Sequence, residues 1–286
     1  MSWVADALFL FVFSTARYLT VRWSSLKGQP VQFNNLAMFL VGVPVFGCLC
    51  LLTHASLALN PAQLLFLVFL GVCLSYLPNA ASLKSIELAP NAGYSLIISK
   101  SYVVMTTFLA VPLFGAHLSV HALLAIMLIV GFSALILLNR SSSHKAKSRS
   151  WLPLAIAAFF GWGFLSLSAK YLFNHGLPTF TFLFYDYLIA SICILVELQK
   201  NHAKQWQFRD HLGTFLLIGV VSASSDIFNF QGVKIAPNVG YVNATNAASI
   251  GAVTIFSILI FKDEFSIRKL IGVLGVIGGL VLLFVG

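Results

Sequence analysis

Charge is what this sequence has least of. Only 9% of its 286 residues are Asp, Glu, Lys or Arg, while 59% are hydrophobic. A soluble domain carries roughly 25% charged residues to cover its water-facing surface, so a soluble globular protein is excluded. Acidic residues are scarcest, 8 against 17 Lys and Arg, which leaves a net charge of +9. That excess does not point to nucleic acid. The basic residues fall in short gaps between apolar stretches, where they act as orientation signals. Four cysteines (Cys48, Cys50, Cys73, Cys193) all sit inside apolar stretches without ligand-like spacing, so they read as packing residues rather than as a disulfide or metal set. The seven histidines (His54, His117, His121, His144, His175, His202, His211) lie in gaps or at segment ends, with no spacing for a metal. A Gly-rich phosphate loop followed by Lys-Ser or Lys-Thr is missing, which speaks against ATP-driven pumping. No catalytic constellation stands out, so neither an enzyme nor a cofactor is expected. No cleavable signal peptide is expected either, because the first positive charge, Arg17, follows the first apolar run.

What is present is a series of long apolar runs. A bilayer core takes about 20 apolar residues per helix, and ten segments of that kind can be cut: 3–22, 33–54, 62–85, 91–113, 117–139, 151–173, 178–198, 211–234, 240–261 and 267–285. They are too long and too little alternating for barrel strands, and unpaired backbone groups are too costly in hydrocarbon for anything but helix. The expected fold class is therefore all-α integral membrane, with ten transmembrane helices.

Two stretches are near copies: Ala89-Pro90-Asn91-Ala92-Gly93-Tyr94 and Ala236-Pro237-Asn238-Val239-Gly240-Tyr241, with Pro237 standing 147 residues after Pro90. At the same offset Ser75 meets Ser222, Thr107 meets Thr254, Phe114 meets Phe261 and Gly131 meets Gly278. The chain reads as a doubled unit: residues 1–139 as a first five-helix repeat, 140–150 as a basic linker and 151–286 as a second repeat. Because five is odd, the second copy enters the membrane upside down, giving two inverted repeats.

The basic residues test the inversion. Junctions after odd-numbered segments hold Arg22, Lys27, Lys84, Arg140, Lys145, Lys147, Arg149, Lys200, Lys204, Arg209, Lys262, Arg268 and Lys269, whereas the even ones hold Lys234 alone. Basic junctions stay on the cytoplasmic side. The expectation is a multi-pass plasma (inner) membrane protein with cytoplasmic basic loops and both termini outside.

Certain residues also carry a family likeness. The sixth segment reads Gly161-Trp162-Gly163-Phe164 with Lys170 further on, and the last two segments are joined by Lys262-Asp263-Glu264-Phe265-Ser266, followed by Gly272, Gly275, Gly278 and Gly279. This resembles the EamA-type branch of the drug/metabolite transporter superfamily. The resemblance covers essentially the whole chain, though the first half lacks the Trp-Gly pair and has His117 where Glu264 stands. It implies a secondary transporter in which segments 1, 3, 4, 6, 8 and 9 surround a central path. It does not choose among amino acids, purines and other small metabolites.

Ionisable side chains in mid-bilayer cost roughly 2.5–3.5 kcal/mol on insertion scales, so each needs a reason. Lys100 lies too deep to reach the headgroups and is expected to face the cavity. Asp226, with Asn79 as its repeat partner, is expected to bind an amine or a coupling proton, or to be the counter-ion of Lys100. Asp186 is expected to be structural. Arg17 and Lys170, read as equivalent positions near segment ends, are candidate gate residues or simply reach the headgroups. Asn243 and Asn246, three apart, share a face; substrate binding and helix–helix hydrogen bonding both fit them. Tyr76, Tyr94, Trp162, Tyr185, Phe228 and Tyr241 are candidates for an apolar cavity wall. The Gly272, Gly275, Gly278 and Gly279 set suits close helix packing or a dimer contact.

The function expected is secondary active transport of a small polar metabolite, an amino acid or related zwitterion, by alternating access, with export among the options. Partners are membrane lipid, the substrate and a coupling proton, with the chain a monomer or homodimer. Two alternatives stay open: carriage of a larger charged metabolite, nucleoside-like or S-adenosylmethionine-like, stacked by Tyr76, Trp162 and Phe228; and a non-transporting membrane scaffold.

Overall fold

The computed structural model describes residues 2–89, 92–137, 150–200, 208–262 and 266–285. Ten helices in it are long and apolar enough to cross a bilayer: α1 Trp3–Leu26, α2 Val31–Leu52, α3 Pro61–Leu88, α4 Tyr94–Phe114, α5 Val120–Leu137, α6 Trp151–Asn174, α7 Thr179–Gln199, α8 His211–Ile235, α9 Val239–Phe261 and α10 Ile267–Val285. Among the described residues there is no strand. The protein is an all-α integral membrane protein. Most of the linker read at 140–150, the Pro90-Asn91 pair and the acidic residues Asp263 and Glu264 lie outside the described residues.

Local chemistry sets the helix ends, and this moves several of them from where hydropathy placed them. α1 continues past Arg22 to Leu26 and stops where Gly28 takes a positive φ of 81°. α3 opens on a capping box: Asn60 accepts from the Gln63 amide at 2.8 Å and the Gln63 side chain accepts from the Asn60 amide at 3.1 Å, with Pro61 in the first turn. The Asn238 side chain accepts from the Gly240 amide at 2.8 Å and starts α9. α4 ends at Gly115, in the left-handed region at φ 62°, so residues 115–119 are not helical and α5 starts at Val120. Within α3 the turn Leu70–Tyr76 is π-helical. Pro78 follows it; it has no amide proton to give the carbonyl four residues back, and a widened turn accommodates the loss.

Helix pairing follows a rule. α1 packs along α8 and α9, and α6 along α3 and α4; α2 packs on α8, and α7 on α3; α2 meets α7, α4 meets α9 and α5 meets α10. Shifting every helix number by five turns this set of pairs into itself. In lipid no hydrophobic force draws helices together, so close contact needs small residues or hydrogen bonds. α10 supplies the former. A Cβ on Gly275 would stand 2.1 Å from the Phe132 ring, one on Gly272 2.5 Å from Ile136, and one on Gly279 2.8 Å from Ile129. Three of the four glycines thus serve the α5–α10 contact, while Gly278 faces open space. The outward faces are apolar, as lipid requires, with Leu51, Leu65 and Leu259 exposed.

Candidate functional site

The deep charges gather where α1, α4, α6, α7, α8 and α9 meet. Arg17, in the middle of α1, points Nη1 at Asp226 Oδ1 of α8, 3.2 Å away, with only 14% of its side chain exposed. The other carboxylate oxygen accepts a hydrogen bond from the Tyr187 hydroxyl of α7. Tyr187 is held edge-on by Phe46 at 4.7 Å and seated against bare backbone at Gly42, where a Cβ would lie 2.3 Å from its ring. A turn-neighbour of Arg17, Ser14, is 2.9 Å from Ser225 Oγ and donates to Asn246 Oδ1 at 3.0 Å, fastening α1 to α8 and α9. Ser14, Arg17 and Tyr18 stand at the i, i+3, i+4 spacing of one helix face.

Tyr18 leads to the second cation. Its ring lies 5.4 Å from the Arg17 guanidinium and 5.6 Å from Lys100 Nζ, and Lys100 Nζ lies 4.7 Å from the Trp162 ring of α6. Trp162 in turn meets Tyr102 of α4 edge-on at 6.3 Å. Among the described residues no carboxylate comes within 4 Å of Lys100. Its company is aromatic faces, which attract a cation without neutralising it. An apolar crevice between α4, α5 and α9, lined by Leu96, Ile97, Ser133, Ala247 and Ile250, ends on the same lysine.

The placement of the other sequence candidates departs from expectation in several ways. Asp226 is the counter-ion of Arg17, not of Lys100. Arg17 is neither near a helix end nor equivalent to Lys170. A Cβ on Gly161 would stand 2.1 Å from Pro78 where α6 crosses α3, just as Ser14 touches Ser225 where α1 crosses α8. Both members of these contacts differ by the repeat offset, which sets Arg17 opposite Phe164. Lys170 instead donates to the carbonyls of Lys234 at 2.7 Å and Ala236 at 3.2 Å, closing the C-terminal end of α8. Asn243 donates to Thr106 Oγ1 at 3.1 Å and is fully buried, so it ties α9 to α4. Asn79 donates to Asn35 of α2 at 2.6 Å. Tyr76 donates to Glu197 of α7 at 2.9 Å, and Phe228 stacks on Phe9 and Phe13 at 4.8 and 5.5 Å.

The proposed aromatic wall therefore does not form as one surface. Tyr94 lies by Trp151 at the start of α6, whereas Tyr241 lies by Trp3 at the start of α1. Helices five apart begin at opposite ends of the bundle, so these tyrosines are separated by its length. At the Trp3 end, hydrogen bonds tie helix starts to neighbouring connections: Tyr241 to His117 O at 3.0 Å, Thr181 to Ser56 O and Tyr185 to Leu57 O, both at 2.9 Å. Residues 239–249 of α9, on that side, are buried throughout, while the remainder of the helix is largely not.

Sequence reasoning passed over Ser14, Tyr18, Tyr102, Tyr187 and Ser225. The polar face of α1 was a readable signal for the first two. Among the described residues no three His, Cys, Asp or Glu side chains are grouped so as to hold a metal ion.

Comparison with known proteins adds independent support. Residues 149–285 match the EamA-like transporter family. A protein of Archaeoglobus fulgidus named as an uncharacterized transporter is 25% identical over 222 residues, 77% of this chain and 75% of that one. A solved crystal structure superposes with a TM-score of 0.81 over 98% of this chain and 95% of its own, at 13% identity, which is a likeness of fold alone.

Proposed function

We propose that this chain, whose residues 149–285 match the EamA-like transporter family, is an EamA-type member of the drug/metabolite transporter superfamily and a secondary active transporter of a small polar metabolite, an amino acid or related zwitterion, working by alternating access. The observation that carries the substrate class is Lys100: a deep ammonium held between Tyr18 and Trp162 with no carboxylate of the described chain against it. A substrate carboxylate supplies the missing partner, and a charge-assisted hydrogen bond of this kind contributes about 1.5–3 kcal/mol. The substrate amine approaches Asp226 in competition with Arg17. Asn246 supports the site through Ser14, and Trp162 and Tyr102 form its apolar floor.

The two five-helix repeats, 1–139 and 151–286, are the moving bodies of this proposal, and the helix pairing that survives a shift of five supports them. With the basic junctions cytoplasmic and both termini outside, the hydrogen-bonded Trp3 end lies on the outer side and would serve as the outer gate. Carriage of a larger ring-bearing metabolite has less support, since Tyr76 and Phe228 are engaged elsewhere and do not converge with Trp162.

The test is uptake of labelled amino acids by proteoliposomes holding the purified protein. Lys100→Ala is expected to lower uptake of the carried substrate about tenfold or more, the equivalent of ~1.4 kcal/mol of lost binding. Undiminished uptake by a folded Lys100→Ala protein would remove the substrate proposal.

A further inference from the structure

One deep ionisable group plays no part in the site just described. Asp186, in α7 directly before Tyr187, is 3% exposed. Its Oδ2 accepts from Ser75 Oγ at 3.1 Å, and its Oδ1 has no partner. Among the described residues no Lys, Arg or His nitrogen lies within 4 Å of it. Ser75 is delivered by the π-helical turn Leu70–Tyr76 of α3, which closes tightly on α7: a Cβ on Gly71 would lie 2.7 Å from Ile189. Such turns often mark functional positions.

α3 brings Ser75 to Asp186, and Tyr76, next in the chain, is bound to Glu197 of α7. α8 brings Asp226, whose negative charge bears on Asp186, and α2 packs Gly42 and Phe46 on the neighbouring Tyr187. Arg17 is turned to Asp226. A lone carboxylate in such an interior takes up a proton or a cation rather than remain unpaired. A metal ion asks for several oxygen ligands, and the side chains here offer one hydroxyl beside the carboxylate. A proton needs no more than the free Oδ1.

We propose that Asp186 is the coupling-proton site of this carrier, occupied while an anionic group rests on Lys100 and emptied when that group leaves. The proposal rests on the transporter reading above. Its logic is a charge balance. With a proton on Asp186, the cluster of Arg17, Lys100, Asp226 and Asp186 carries one net positive charge and attracts an anion. Without the proton it is neutral, and Arg17 is drawn toward two carboxylates instead of one. Tyr187 links the two sites, since it follows Asp186 in the chain and holds Asp226 by its hydroxyl. Proton and substrate carboxylate therefore favour each other's binding by the same factor, as linkage requires.

The test reads the proton directly. Infrared difference spectra of the purified protein in lipid vesicles, taken across a pH step, are expected to show the carbonyl band of a neutral buried carboxylic acid. Asp186→Asn removes this band, Asp226→Asn keeps it, and Ser75→Ala shifts it by removing the hydrogen bond. A wild-type spectrum without the band, or a band that survives Asp186→Asn, overturns the proposal. So does a band that appears only when sodium is replaced by choline, because the site would then hold a metal cation. In proteoliposomes, Asp186→Asn is expected to keep exchange of labelled amino acid while losing its several-fold acceleration by a pH gradient. If no amino acid is carried by the wild type, the substrate reading fails while the infrared band still decides Asp186.

Discussion

The crossing of α1 over α8 and the crossing of α6 over α3 are made by residues at a common offset along the chain, yet they differ in kind. The first places Ser14 on Ser225 and Arg17 on Asp226. The second places Gly161 on the ring of Pro78, and its counterpart of Asp226 is the neutral Asn79, satisfied by Asn35. One crossing is charged and hydrogen-bonded, the other is a close steric fit. The difference teaches that a doubled frame needs no doubled chemistry. The neutral crossing is set mainly by steric contact, with one hydrogen bond from Ser85 to Trp151 O nearer its end at 2.7 Å.

Breaking the charged crossing should have the largest effect. Asp226→Ala leaves Arg17 buried without a counter-ion, which costs about 3–5 kcal/mol. Asn79→Ala at the neutral crossing should cost only about 1 kcal/mol, one ordinary hydrogen bond. Joint replacement of Arg17 by Met and Asp226 by Leu should recover most of the loss, because no lone charge remains. Thermal unfolding in detergent checks all three. Equal losses for Asp226→Ala and Asn79→Ala would dissolve the contrast between the crossings.

The steric crossing comes next. Gly161→Val drives methyl groups into Pro78, a ring that cannot rotate away, and should destabilise by about 2–3 kcal/mol. Ser14→Val, on the side with flexible partners, should cost less. Tyr187→Phe ranks third. It deletes a hydrogen bond to a charged acceptor, worth about 1.5–3 kcal/mol, and should loosen Asp226 enough to weaken substrate uptake as well as stability.

How much of this was legible beforehand depends on what lipid hides. The ten spans followed from runs of apolar residues, to within a few positions, because the bilayer demands length and hydropathy and little else. Helix ends shifted where a cap or a glycine decided them, as at Asn60 and Gly115. The π-turn in α3 left only Pro78 as its trace. Side-chain partners were harder to foresee. A soluble helix shows which face is inside by its polar stripe, but a lipid-bathed helix is apolar outside and carries only a few polar residues inside. Asp226 could thus be read as deep, though not as turned toward Arg17 rather than Lys100. Asn243 and Asn246 were legible as a shared face, and that face bonds Thr106 and Ser14 while the Asn243 oxygen is left without a partner. Arg17 and Lys170 share local neighbours, Ala16-Arg17-Tyr18-Leu19 and Ala169-Lys170-Tyr171-Leu172, but a likeness that short loses to the register set by the crossings.

Lys170 offers the finest cut on the comparison, with the smallest expected effect. Its ammonium rests on two carbonyls at the end of α8, where the aligned peptide dipoles concentrate negative partial charge. A cation there contributes about 0.3–1 kcal/mol, far below a buried ion pair. Lys170→Met keeps the apolar stem and removes only the charge. It should lower the unfolding temperature by about 1–3 °C, taking the scale for chains of this size, and leave transport unchanged. A gate lysine partnered functionally with Arg17 predicts the reverse: an unaltered unfolding temperature and a large loss of uptake. The measurement therefore separates the two basic residues by what they hold, Arg17 a carboxylate inside the site and Lys170 the end of a helix beyond it.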